Sequence, residues 1–362
     1  MKSKIFRCFL NALLSPVLVA VGGPFKYVKG EEREKLRFDS NGKFRILHLT
    51  DIHLVTPEMD EIRTEEQVVE LTKQTFRVID ESIKKTNPHL IVLTGDNVGN
   101  YCKKATFDYT AELIGKLIDV LRKYDIPLAV GFGNHDGEHG IYKEFQMRLF
   151  MEYENCRAVF NEEELYGVGN YNLPILSCDS DKIAFNIWML DSNDYVDGKP
   201  DNGYDCVHND QIDWYLRKSE KLRISNDGNL VPSFVFQHIP VPEELELLVE
   251  VSEPVEGSVS FGDKHYILPD NAVGRIREKP CPPGSRYDKQ FEIMKNRGDV
   301  LAMFFGHDHI NDFVMEKDGI KLIQTLCAGY TTYGKERGGR LIVLDEKDLT
   351  TFETESFEIP ME

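Results

Sequence analysis

The chain has 362 residues, 41% hydrophobic and 29% charged, with 27 Gly and 16 Pro in no repeating order, which excludes collagen-like, coiled-coil and disordered classes. Lys and Arg number 43 against 61 Asp and Glu, and the resulting net charge of -18 disfavours a general coat for nucleic acid. Seven cysteines without a Cys-x-x-Cys spacing exclude a zinc knuckle and a dense disulfide framework, so idle or buried thiols are the default.

Lys2, Lys4 and Arg7 precede an apolar run over 8–21, with Ala20 and Gly22 as small residues after it. Two readings stay open for this segment, 1–30. It resembles a secretory signal, and it equally suits a short piece packed on the domain or on a membrane surface. The second reading is favoured and places the protein in the cytoplasm or at a membrane surface, with export as the alternative. A membrane-spanning helix needs ~17 to 25 apolar residues, so no transmembrane span is expected.

Beyond the charged linker GEEREKLR, the run 44–50 reads as a buried strand ending at Asp51. Thr64 with Gln67 forms a capping-box signature, and Val68, Leu71, Phe76, Val78, Ile79 and Ile83 predict a helix that stops at Asn87 and Pro88. The order then repeats: strand 89–94, helix 111–124, strand 126–131, helix 140–152. Such alternation implies parallel crossovers and a sheet covered on both faces. Later strands at 182–190, 233–237, 300–305, 320–325 and 340–344 have fewer helices between them, so antiparallel pairing is expected to enter there. The whole reads as one large layered α/β domain over 44–347. Within it, 241–288 reads as an irregular acidic insertion, and its glutamates, among them Glu243, Glu244 and Glu246, as a solvated rim.

Several of these strands stop at residues of metal-ligand type: Asp51 and His53, Asp96, Asn134 with His135 and Asp136, His238, and His307 with His309. Ligands in open α/β sheets gather beyond the carboxyl ends of strands, so residues far apart in sequence can converge in one crevice. Each piece alone is weak, since Asp-x-His is also a common cap and Gly-Asp a common turn. All five in order, each after an apolar run, offer imidazole and carboxylate enough for two divalent ions. His48 and His89 read as structural, and His139 as a solvated loop histidine. Tyr330 and Tyr333 line the site or act as core lids.

The set D-x-H, G-D, G-N-H-D, H and G-H-x-H over about 45–344 resembles the calcineurin-like metallophosphoesterases. Within them, GDVLAMFFGHDHINDF and CAGYTTYG look like the small branch related to purple acid phosphatases. The resemblance implies a β-sandwich of mixed sheets flanked by helices. It implies Asp51, His53 and His309 on one metal, Asn134, His238 and His307 on the other, and Asp96 bridging both. It implies two divalent or trivalent ions, of which Mn, Fe and Zn all suit these ligands. It further implies hydrolysis by a metal-bridging hydroxide, with His135 assisting the leaving group and Asp136 orienting His135. One departure is visible: purple acid phosphatases place a Tyr three residues after the bridging Asp, where this chain has Gly99, and His53 takes a ligand position there. No tyrosinate-to-iron colour is expected.

A phosphomonoesterase is the leading expectation, acting on a phosphorylated small molecule or a phosphoprotein. A phosphodiesterase or pyrophosphatase acting on nucleotide-type substrates is the alternative, because one two-metal core serves all three. A non-catalytic scaffold is the competing class, and lost ligands would be its mark. The sequence leaves the oligomeric state open.

Overall fold

In a computed structural model, residues 34–99, 105–138, 141–284 and 287–362 are described. The segment 1–30 and His139 lie outside them. The first regular elements are β1 (Leu36–Arg37), β2 (Lys43–Leu49), α1 (Glu65–Thr86), β3 (Leu90–Leu93), α2 (Phe107–Arg122), β4 (Leu128–Val130) and α3 (Lys143–Phe150). Helix α1 starts where the capping box is written: Thr64 Oγ1 accepts from Gln67 N, and Gln67 Oε1 accepts from Thr64 N at 2.9 Å. It ends at Asn87 in the left-handed conformation, just ahead of Pro88.

The chain continues through β5 (Tyr171–Leu176), β6 (Ile183–Met189), α4 (Asn209–Ser225), β7 (Ser233–Phe236), α5 (Glu243–Leu247), β8 (Val249–Val251), β9 (Val259–Phe261), β10 (Lys264–Ile267), α6 (Gln290–Arg297), β11 (Val300–Phe305), β12 (Val314–Lys317), β13 (Ile320–Gln324), β14 (Gly338–Asp345) and β15 (Asp348–Glu358). Two mixed sheets carry the fold, one in the order β15-β14-β2-β3-β4 and the other in the order β1-β5-β6-β7-β11-β13-β12. Strands β2, β3 and β4 run parallel, as do β6, β7, β11 and β13. The pairs β5–β6, β12–β13, β14–β2 and β14–β15 are antiparallel, each with at least one of the later strands.

Period-two alternation decides which side of the second sheet meets which layer. Phe234, Phe236, Ala302 and Phe304 face the first sheet and join Ile46, Val92 and Ile342 in one buried cluster. Val235, Met303 and Phe305 face the other way, onto Trp214 and Tyr215 of α4 and Phe291 and Met294 of α6. His48 of β2 crosses between the sheets, its ring 5.2 Å from that of Phe236. Both of its nitrogens are engaged, by Thr94 Oγ1 at 2.9 Å and Thr325 Oγ1 at 3.0 Å. A buried imidazole satisfied on both sides costs little, so His48 is a core residue.

Three readings of the sequence change. The stretch 241–288 is not wholly irregular: it forms α5 and a small antiparallel sheet in the order β8-β10-β9. Its glutamates are not all solvated, since Glu243 and Glu244 are buried. The first sheet also continues past residue 347, because the alternating run of β15 pairs with β14 along its length. No described helix is long and apolar enough to cross a membrane, and Cys178, Cys281 and Cys327 are free thiols.

Candidate metal centre

Five parallel strands, β2, β3 and β4 of one sheet and β7 and β11 of the other, deliver their carboxyl ends to one place. The turns that leave them are sharp. Asp51, His53, Asp96 and His307 all have positive φ, at 53°, 48°, 50° and 73°. For residues with a side chain that conformation costs roughly 1 to 2 kcal/mol each, and it persists where surrounding contacts over-determine it. The glycines beside them make the bends feasible. A Cβ on Gly306 would enter the Thr50 hydroxyl and the Asp51 carboxylate, and one on Gly95, at φ 117°, would collide with the backbone of Gly133.

Asp51, His53, Asp96 and His309 present one ligand atom each within 4.8 Å of one another, all buried. Nε2 of His53 faces Nε2 of His309 at 3.1 Å. Asp51 Oδ1 is 3.6 Å from the first of these nitrogens and 3.3 Å from the second. Asp96 Oδ2 lies 3.7 Å from His53 Nε2 and 3.2 Å from His238 Nε2, so this carboxylate stands between two groups of histidines. The ring of His307 is 5.2 Å from that of His238.

The remaining atoms of these side chains are already bonded to protein, which fixes the orientation of each. His53 Nδ1 meets Gly99 O at 2.7 Å, the position at which purple acid phosphatases have their tyrosine. His309 Nδ1 meets Thr332 Oγ1 at 2.8 Å. Asp51 Oδ2 accepts from His307 N at 3.0 Å and Thr50 Oγ1 at 2.8 Å, and Asp96 Oδ1 accepts from His135 N at 2.9 Å. Left over, buried and with no hydrogen-bond partner, are Asp51 Oδ1, Asp96 Oδ2, Asn134 Oδ1, both ring nitrogens of His238 and His307 Nε2. Buried polar atoms without partners are costly, and a set of oxygen and imidazole donors converging this way fits divalent metal ions. Burial holds His53 below the ordinary imidazole range and His307 down to about 3, so both offer a lone pair and not a charge. Burial opposes ionisation of Asp51 and Asp96, yet the surrounding histidines win and hold both carboxyls well below their usual range.

His135 is beside this group, with Nε2 at 4.0 Å from Asp96 Oδ2. Burial pushes its pKa down, but the Asp96 charge and Glu138 raise it to about 9. The orienting role expected of Asp136 does not fit its contacts. That carboxylate accepts from the backbone of Asn97 at 2.9 Å, Gly133 at 2.8 Å and Val98 at 3.3 Å, and it ties two turns together. The carboxylate that meets His135 is Glu138, whose Oε2 forms an ion pair with Nδ1 at 2.9 Å. Three aromatic residues complete the surroundings. Tyr333 stacks on His309 with centroids 4.2 Å apart, Tyr204 meets the His307 ring edge-on at 4.3 Å, and Tyr195 stacks on Tyr204 at 5.5 Å. Tyr330 instead turns its hydroxyl to Ile359 O, as part of the core. Sequence reasoning missed Glu138, Tyr195, Tyr204 and Thr332. The spacing of Glu138 three residues after His135 was the one local signal, and the others reach the site from loops distant in sequence.

The calcineurin-like phosphoesterase family model matches residues 44–311. The chain belongs to the calcineurin-like phosphoesterase family. Among curated relatives of this family member, "Probable inactive purple acid phosphatase 29" of Arabidopsis thaliana is 29% identical over 87% of this chain and 80% of its own length. "Phosphatase DCR2" of Saccharomyces cerevisiae is 25% identical over 82% of this chain and 49% of its own length. A solved dimetal phosphatase from Danio rerio shares the fold, with a TM-score of 0.51, 11% identity, and coverage of 83% of this chain and 92% of that one.

Proposed function

We propose that this chain is a two-metal hydrolase of phosphoric esters that acts on phosphomonoesters. The observation that carries the reading is the set of buried, unpartnered acceptors on Asp51, Asp96, Asn134, His238 and His307, beside the facing nitrogens of His53 and His309. Asp51, His53 and His309 would hold one ion, Asn134, His238 and His307 the other, and Asp96 both. Such a pair of ions supplies positive charge for the phosphoryl oxygens and lowers the pKa of water.

The chain's own residues do the rest. His135 keeps its Nδ1 toward the Glu138 carboxylate, which only accepts, so that nitrogen carries a hydrogen and Nε2 is turned toward Asp96. From there Nε2–H can donate its proton to the departing alkoxide. Tyr204 and Tyr333 cover the imidazoles of His307 and His309 and exclude water from those faces. The Glu138 carboxylate beside His135 disfavours a leaving group with a further phosphate, which supports a monoester over a pyrophosphate. The yeast relative is named a phosphatase, which is consistent with the reading.

The test is hydrolysis of p-nitrophenyl phosphate and bis(p-nitrophenyl) phosphate by metal-stripped protein reloaded with Mn, with Asp96→Asn alongside. A Mn-dependent rate on the monoester that vanishes in the variant is expected. A dominant rate on the diester would move the assignment to phosphodiesterase. Two bound ions with no rate on either ester would favour a binding role, as the word "inactive" in the name of the Arabidopsis relative suggests for that protein.

A further inference from the structure

An amide presents an oxygen on one side and an NH2 on the other, and only the oxygen of Asn134 can serve a metal ion. Something must choose between the two faces. Asn134 Nδ2 donates to Tyr195 Oη at 3.1 Å, and Tyr195 Oη donates in turn to Glu138 Oε1 at 3.2 Å. The order of donors is fixed by chemistry. A carboxylate accepts, so the single hydrogen of the tyrosine goes to Glu138, and the tyrosine oxygen is left to accept. It can accept from the NH2 face alone. Oδ1 is thereby turned the other way, where it is buried and has no protein partner. The other oxygen of Glu138 pairs with His135, so one carboxylate connects the hydroxyl that orients a metal ligand with the imidazole next to it in sequence.

We propose that Tyr195 and Glu138 are positioning residues of the metal centre, fixing the Asn134 amide with its oxygen toward the second ion. This rests on the reading of Asn134 as a ligand of that ion. Tyr195 lies 61 positions from Asn134 and comes from a separate loop, so the arrangement depends on how that loop packs over the site. Outer partners of metal ligands typically change affinity by about 10- to 100-fold when removed.

The test is a double-mutant cycle read in Mn affinity, with the two binding steps resolved by calorimetry and by the spin-coupled signal of the paired ions. Tyr195→Phe removes the acceptor of the Asn134 amide and is expected to weaken the second ion by about 10-fold or more, with the first ion little changed. Glu138→Ala, which frees the tyrosine hydrogen to point at Asn134, is expected to act in the same direction. The deciding variant is Asn134→Asp, because a carboxylate offers oxygen on either side and needs no orientation. In that background Tyr195→Phe should cost less than about 3-fold.

An equal loss in the Asn and Asp backgrounds would mean that Tyr195 only supports the loop, and would overturn the proposal. So would unchanged affinity in Tyr195→Phe, or a wild-type chain that takes up fewer than two ions. If the wild type binds two ions and hydrolyses no phosphoester, the phosphoesterase reading fails, and the cycle still decides the roles of Tyr195 and Glu138.

Discussion

Glu244 is a carboxyl inside the protein, and replacing it with Gln should make stability depend less on pH. Its side chain, on α5 of the insertion, is fully buried and accepts from Gln324 Nε2 at 2.9 Å. The same amide nitrogen donates to Asp308 Oδ2 at 3.0 Å, and Glu244 Oε1 has no partner. Burial outweighs the Gln324 hydrogen bond and raises Glu244 from 4.5 to about 8. Between those two values the folded chain keeps a proton that the unfolded chain has released, so stability falls as pH rises, at about 1.4 kcal/mol per pH unit. The contribution is fully present below pH 4.5 and lost above pH 8, about 4 to 5 kcal/mol in all. Gln matches the neutral carboxyl in shape and does not titrate. Glu244→Gln should therefore equal the wild type near pH 4.5 and exceed it by roughly 3 to 5 kcal/mol near pH 8.5. Urea unfolding of both proteins at five pH values measures this, and taking the difference cancels the groups distant from Glu244 but not its neighbour Asp308, whose carboxyl burial and the Glu244 charge push up. A gap that does not change with pH, or a wild type more stable than the variant at pH 8.5, would refute the burial argument.

Mn added to metal-free protein should raise the melting temperature by several degrees, because a ligand at 100 times its Kd stabilises the folded state by ~2.7 kcal/mol per site, and a chelator should reverse the shift. Arg337 is buried, and its guanidinium bonds the carbonyls of Gly329, Thr332, Tyr333 and Gly334. Arg337→Ala leaves those carbonyls without a donor and should cost roughly 3 to 5 kcal/mol in urea unfolding. It should also weaken Mn binding, since the same loop carries the Thr332 that holds His309. Gly95→Ala forces a Cβ into the Gly133 backbone and should lower stability by roughly 3 kcal/mol, measurable by thermal melting at constant pH.

The sequence by itself determined the strands that carry ligands and the residues at their ends. An apolar run that stops at a polar residue after a tight turn is a local signal, and the runs at β2, β3, β4, β7 and β11 are read from neighbours a few positions away. The same holds for the start of α1, where Thr64 and Gln67 satisfy each other within one turn. Less was legible where the pattern was weak or the partner distant. β5 contains Pro174, which argues against a strand until its antiparallel pairing with β6 is seen. α4 is rich in polar and charged residues, and its buried face shows only against Trp188 and Met303. Glu243 and Glu244 look like a solvated run because the sequence does not show what packs over them. Tertiary structure alone decided which oxygen of each carboxylate stays unpartnered, that Glu138 and not Asp136 meets His135, and that Tyr195 reaches Asn134. The physical reason is one of range. Propensity and periodicity act over a few residues, whereas the orientation of a buried amide or imidazole is set by hydrogen bonds from chain segments brought together only by folding.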